Sequence, residues 1–257
     1  MGNGGAAGYA PDCTMAAFEA AMRQGVDAIR FSVQFTADHH PVVCRHETLL
    51  EAAGVAVRPT DYTAAALSGL DIGLLRGDEF RGQRVPLLRE VAEAVPSHVR
   101  LFIEVLEFTS ATPDRLSLLG EVLRRHGGLE RAVFLSGAED KLVVLRQRFP
   151  GSEIGLLLTG DVRIPADAVR RADYIGCTCV IAEPTLMTRE LVEVCHRHRM
   201  KAFASGVNEE KAMRRLASIG MDGFSTDYPD RLRGLAAARS ESLTSPVIQA
   251  GTEGASS

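Results

Sequence analysis

The feature that most constrains this chain is a repeated alternation. Short, mostly apolar runs are followed by stretches of helical periodicity. The runs read as strands over Ala28–Phe35, Val42–Arg45, Leu101–Leu106, Ala132–Ser136, Ile154–Leu158, Tyr174–Cys177, Lys201–Ala204 and Gly223–Thr226. The intervening helices are expected over Met15–Gln24, Leu87–Val95, Pro113–His126, Ala138–Phe149, Thr188–His198 and Glu209–Ile219. Strands that are apolar on both faces, joined by helical crossovers, point to a parallel sheet covered on both sides, and so to the α/β class. The 257 residues suit one domain of the size an eight-stranded α/β barrel needs.

Two strands break the apolar pattern. Within Ala28–Phe35, Arg30, Ser32 and Gln34 share one face, while Ile29, Phe31, Val33 and Phe35 share the other. In Leu101–Leu106, Glu104 lies between Phe102 and Leu106 on its own face, an expensive place for a carboxylate without a cationic partner. The segment Thr36–Pro41 is too short for a crossover and predicts a hairpin turn. Residues 47–84 have weak periodicity and read as an excursion holding one short helix. The expected division is a barrel over residues 1–235 and a disordered tail over 236–257, where composition shifts to Ala, Ser, Thr and Gly.

Charge and composition exclude several classes. The net charge of −4, the absence of Trp and the 5% aromatic content argue against a nucleic-acid partner. No apolar run reaches the ~18 residues of a membrane-spanning helix. Five cysteines at irregular spacing do not form a disulfide framework. They read as reduced, buried thiols, and with no secretory signal in view a cytoplasmic location is expected. His39 and His40 fall in the hairpin turn, where solvent exposure is expected. His196 and His198 are two apart on a helix and share no face.

The order of fragments resembles the glycerophosphodiester phosphodiesterase family of the phospholipase-C-like phosphodiesterase superfamily. Gly8-Tyr9-Ala10-Pro11-Asp12-Cys13-Thr14, followed by Ala17-Phe18, is similar to that family's Gly-x-x-Pro-Glu-Asn-Thr-x-x-Ala-Phe. Gly25-Val26-Asp27-Ala28-Ile29, Pro41-Val42-Val43, Leu70-Asp71-Ile72-Gly73, Val85-Pro86, Ile103-Glu104-Val105, Val207-Asn208 and Thr226-Asp227-Tyr228-Pro229-Asp230 follow in the family's order. The resemblance implies a (β/α)₈ TIM-type barrel with a β-hairpin after strand 2. Its first strand is expected to be short or missing, completed by a segment upstream of Met1.

The resemblance also implies a metal-assisted reaction, with Ca or Mg held by three carboxylates and two histidines acting as acid and base. This chain departs from it. The His-Arg-Gly positions read Asn3-Gly4-Gly5, and the Glu-x-Asp pair reads Arg30-x-Ser32. The hairpin histidine falls on Arg45, and the lysine after Ile-Glu-x falls on Leu106. Of the family's metal ligands, acid-base histidines and phosphate-binding cations, Glu104 alone is expected to remain. The Asp12–Thr14 turn reads as mainly structural, with Thr14 as a helix N-cap.

A hard divalent cation wants several anionic oxygens, which one carboxylate beside an arginine does not supply. The expectation is therefore a divergent, metal-independent pseudoenzyme without cofactor. It would bind a phosphorylated or otherwise anionic small molecule through Arg30, Arg45, Asn3, Ser32 and Asn208. Two alternatives stay open. One is a repurposed acid/base lyase, cyclase or hydrolase using Glu104 or His46 as catalytic residue. The other is a still-active phosphodiesterase of glycerophosphodiesters in lipid metabolism. Arg30 and Glu104 are expected on neighbouring strands, facing inward.

Overall fold

The computed structural model describes residues 1–106, 108, 113–160 and 165–232. Eight parallel strands lie side by side in the order β1 (Gly2–Asn3), β2 (Ala28–Phe35), β4 (Arg100–Val105), β5 (Ala132–Ser136), β6 (Glu153–Leu158), β7 (Cys179–Ala182), β8 (Lys201–Ala204) and β9 (Gly223–Phe224). The strand β3 (Pro41–Val43) folds back antiparallel on β2, placing Val43 opposite Val33. The curled sheet meets itself at its ends. Asn3 donates to the Thr226 carbonyl at 2.9 Å, and Thr226 donates to the Met1 carbonyl at 3.1 Å. The architecture is a (β/α)₈ TIM-type barrel whose first strand is present but only two residues long.

Alternation along the strands divides the apolar side chains into two layers. Ile29, Phe31, Val33 and Phe35 point outward from β2 into the main core, with Leu101, Ile103 and Phe134. That core is covered by the helices α1 (Met15–Arg23), α4 (Leu88–Ala94), α5 (Pro113–Arg125), α6 (Glu139–Arg148), α7 (Pro165–Ile175), α8 (Arg189–Arg197) and α9 (Glu210–Ser218). A smaller cluster fills the barrel interior: Ala28, Phe102, Val133, Leu135, Leu157, Cys179 and Ile181. Space there is short enough to require glycine. A Cβ on Gly155 would come within 2.5 Å of Cys179 Sγ and 2.9 Å of Leu135 Cδ2.

Two expectations are corrected. Tyr174 and Ile175 end helix α7, and the strand that follows is Cys179–Ala182, not Tyr174–Cys177. Ala168, Val169 and Ala172 recur at helical spacing on α7's buried face, while Tyr174 is 95% exposed. Apolar type at Tyr174 and Ile175 was therefore no sign of burial in a sheet. The excursion holds two single-turn helices, α2 (Leu50–Ala53) and α3 (Ala64–Leu67), and two 3₁₀ turns, Pro59–Asp61 and Asp78–Phe80, instead of one short helix. It packs on β3 through Leu49, Leu67, Ile72 and Val85 around Val42 and Cys44, a cluster of its own beside the barrel. The expected tail over 236–257 lies outside the described residues.

Candidate functional site at the barrel mouth

Every residue singled out as a ligand or catalytic candidate lies on an inward strand face or in a loop at the C-terminal ends of the strands. This is the face on which barrels of this type gather their chemistry. Three groups of side chains meet there.

The first group is set by the β2–β4 register, which pairs Ser32 with Glu104 and Arg30 with Phe102. Arg30 Nη2 and Ser32 Oγ each stand 3.4 Å from Glu104 Oε2. The pair is mostly but not wholly buried, with side-chain exposures of 17% for Arg30 and 27% for Glu104. Burial lowers the pKa of Arg30, and the Glu104 charge opposes that shift. Glu104 is the one hydrogen-bond partner of the Arg30 guanidinium among the described residues, so most of its five N–H donors are unused.

The second group comes from the loop after β3. Gln34, inward on β2, donates to the carbonyls of Cys44 at 3.1 Å and His46 at 2.7 Å, fixing this loop on the barrel. Arg45 Nη2 then lies 2.5 Å from Asp12 Oδ2, and His46 Nε2 lies 3.6 Å from the same oxygen. His46 Nδ1 faces Glu51 Oε2 at 3.6 Å. Burial alone would raise the pKa of Asp12, but contact with His46 and the charge of Arg45 outweigh it and lower it. Asp12 in turn raises the pKa of His46. The close packing needs a glycine beneath it. A Cβ on Gly4 would fall 1.5 Å from Asp12 Oδ1, and Gly4 adopts φ +60°. Thr14 caps α1 as expected, accepting from Ala17 N at 3.3 Å. Asp12, in the turn expected to be mainly structural, pairs with Arg45 and His46 at the rim.

The third group is an amide clamp. Asn3 Nδ2 donates to Asp227 Oδ1 at 2.8 Å, and Asn208 Nδ2 to Asp227 Oδ2 at 2.7 Å. The Asp227 backbone N–H returns a bond to Asn208 Oδ1 at 2.9 Å. Arg45 links the groups electrostatically: its charge acts on Arg30, and Asp227 acts on Arg45. Arg30, Ser32 and Glu104 are thus brought into one contact, Arg45 and His46 into a second, and Asn3 and Asn208 into a third. His39 and His40 are exposed in the turn, away from all three.

Two cations at the rim carried no signal in the sequence. Lys141 on α6 reaches the Leu106 carbonyl at 2.8 Å, and its ammonium stands 5.2 Å from the centre of the Phe108 ring. Arg76 in the excursion donates to the carbonyls of Ala7 and Gly8 at 3.2 and 2.9 Å. Both placements depend on tertiary packing, which spacing along the chain does not encode. Asp12 did carry a signal, since it occupies the acidic position of the motif it resembles.

The donor set does not fit a divalent cation. Glu104 faces Arg30, Asp12 faces Arg45, and Asp227 is held by two amides. Asp12 Oδ1, buried without a hydrogen-bond partner, lies against the Gly4 backbone and not toward the open mouth. Among the described residues no three His, Cys, Asp or Glu side chains converge as a metal would require.

Fold and rim together define an eight-stranded α/β barrel with a charged pocket at its C-terminal face. The Glycerophosphoryl diester phosphodiesterase family matches residues 4–231, and the chain belongs to that family. A glycerophosphodiester phosphodiesterase of Caldanaerobacter subterraneus subsp. tengcongensis is 30% identical over 223 residues, covering 86% of this chain and 90% of the relative. A solved phosphodiesterase from Oleispira antarctica, in complex with its product sn-glycerol-3-phosphate, superposes with a TM-score of 0.84 at 21% identity, covering 92% of this chain and 95% of that one. A putative glycerophosphoryl diester phosphodiesterase from Silicibacter pomeroyi gives 0.83 at 24% identity, covering 93% and 92%. Among the described residues, no helix is long and apolar enough to cross a membrane.

Proposed function

We propose that this barrel binds a small phosphorylated molecule at its mouth and does not carry out metal-dependent phosphodiester hydrolysis. The observation that carries the reading is the double pairing of Glu104 with Arg30 and Asp12 with Arg45. Glu104 and Asp12 each already face a guanidinium, and Asp227 is held by two amides. Arg30 keeps unused donors, which suit the forked bonds a phosphate accepts. Ser32 reaches the same Glu104 oxygen as Arg30, the Arg45 charge acts on Arg30, and Asn3 and Asn208 meet at Asp227 beside them. The structural neighbour with sn-glycerol-3-phosphate in place supports a ligand of this class.

Glu104 competes with such a ligand for Arg30, so binding is expected to be moderate. The test is calorimetric titration of sn-glycerol 3-phosphate into the wild-type chain and the Arg30→Leu variant. Loss of a charge-assisted bond worth about 1.5–3 kcal/mol corresponds to a ~10- to 150-fold weaker complex. Equal affinity in the two proteins contradicts the reading.

A second reading has one observation in its favour. His46 touches both Asp12 and Glu51, and Asp12 raises its pKa, as suits a general acid. In that reading His46 transfers a proton and Glu104 keeps Arg30 in place, without a metal. A third, active metal-dependent hydrolysis, is supported by the names of the relatives.

A further inference from the structure

We propose a second binding site, away from the mouth. It is a pit on the outer wall between the β2–β3 hairpin, the start of α4 and α5, and it takes a small organic anion with a compact apolar body. The pit has a volume of about 300 Å³. Arg30, Ser32, Arg45 and Glu104 do not line it, so it is separate from the charged rim. Pro41, Leu87, Leu118 and Val122 give it apolar walls. On α5, Leu116, Leu119 and Leu123 form the buried face, while Leu118 lies off that face and stays 38% exposed. A lone exposed leucine needs no explanation. One that meets three other apolar side chains in a concavity makes a surface for the body of a ligand.

Charge sets the class of the ligand. Both carboxylates on the wall are engaged. Asp38 accepts from the Thr36 hydroxyl at 2.6 Å and from the Ala64 N–H at 2.9 Å, and Glu121 faces Arg125 Nη2 at 2.7 Å. His126, also on the wall, pairs with Glu93 at 2.8 Å. Arg89, near the start of α4, has no hydrogen-bond or ion-pair partner among the described residues. His39 and His40 add ring nitrogens on the hairpin side. The pit thus carries an unpaired guanidinium on a chain whose net charge is −4. Such a group offers a fork of N–H donors that fits a carboxylate, sulfonate or phosphate. The hairpin wall is held in place before any ligand arrives, because the Asp38 bond to Ala64 ties the turn to α3 and Thr36 N–H donates to the His40 carbonyl at 3.0 Å. His40, Leu87 and Arg89 also line a neighbouring hollow of about 330 Å³ beside α3, and so form a ridge between the two. A peptide laid along this surface would have to cross that ridge. A compact molecule fits on one side of it, with Arg89 at its edge.

The test is calorimetric titration of naphthalene-2-sulfonate, a rigid apolar body with one anionic group, into the full chain, alongside the neutral 2-naphthalenemethanol. The sulfonate is expected to bind more tightly than the alcohol. Arg89→Gln is expected to weaken the sulfonate about tenfold or more, as loss of a charge-assisted bond does, and to leave the alcohol unchanged. Leu118→Asp is expected to weaken both probes. Both positions are exposed, and melting temperatures check that the variants stay folded. Arg45→Gln, at the mouth, is expected to bind the sulfonate as the wild type does. Equal sulfonate affinity in wild type and Arg89→Gln overturns the proposal, and so does unaltered binding in Leu118→Asp or no binding of either probe. A greater loss in Arg45→Gln than in Arg89→Gln puts the probe at the mouth and overturns it as well.

Discussion

His46 and Asp12 set the pH behaviour of the mouth. His46 has its pKa raised by Asp12, so its contribution to stability is full below the ordinary histidine value near 6.5. That contribution fades as pH rises through the higher folded-state value. Asp12 has its pKa lowered, so its contribution holds above the ordinary aspartate value and is lost as pH falls through the lower folded one. The pair therefore stabilises most between roughly pH 4 and pH 6.5. Urea unfolding of wild type and His46→Gln at pH 5 and pH 9 measures this. The difference between the two proteins should be larger at pH 5, and an equal difference at both would contradict the assignment. The inward set Arg30, Ser32 and Glu104 was legible because strand alternation fixes faces and β2 has strict period two. Asp12 lies in a turn, where no period fixes direction. Its partner Arg45 is 33 positions away in sequence, so only the fold brings the two together.

Arg131 belongs to the scale of elements. It is buried without a carboxylate partner among the described residues, and its guanidinium donates to the carbonyls of Gly127, Pro96, Val99 and Ala92 at 2.7 to 3.1 Å. These carbonyls lie at the ends of α4 and α5 and in the loop leading to β4, where backbone acceptors lack helical donors. Arg131→Met should therefore cost about 2–4 kcal/mol in urea unfolding, because several buried acceptors lose a charged donor. An effect below ~1 kcal/mol would show that water replaces the guanidinium. Strands and helices with one strong period were legible with ends close to those observed, as for β2 and α1. Helix α7 was not, because its apolar face is narrow and its last turn ends in Tyr174 and Ile175, which resemble a strand start. The excursion was not either, since four pieces of three or four residues are too short to show any period.

At the scale of the molecule, barrel closure rests on a two-residue strand, and the interior is packed to the limit at Gly155. The barrel was legible from the order of its motifs, but its charge arrangement had to be read from the folded rim. There, two arginine–carboxylate pairs occupy the mouth of a barrel whose fold is shared with solved phosphodiesterases. In the proposed reading these pairs stand in place of a metal. The most direct test adds calcium or magnesium to the chain with glycerophosphocholine and follows release of sn-glycerol 3-phosphate. In parallel, sn-glycerol 3-phosphate is titrated into wild type and Glu104→Gln. No metal-dependent release is expected, and binding should be tighter in Glu104→Gln because the competing carboxylate charge is gone. Metal-dependent turnover that disappears in Glu104→Gln would contradict it.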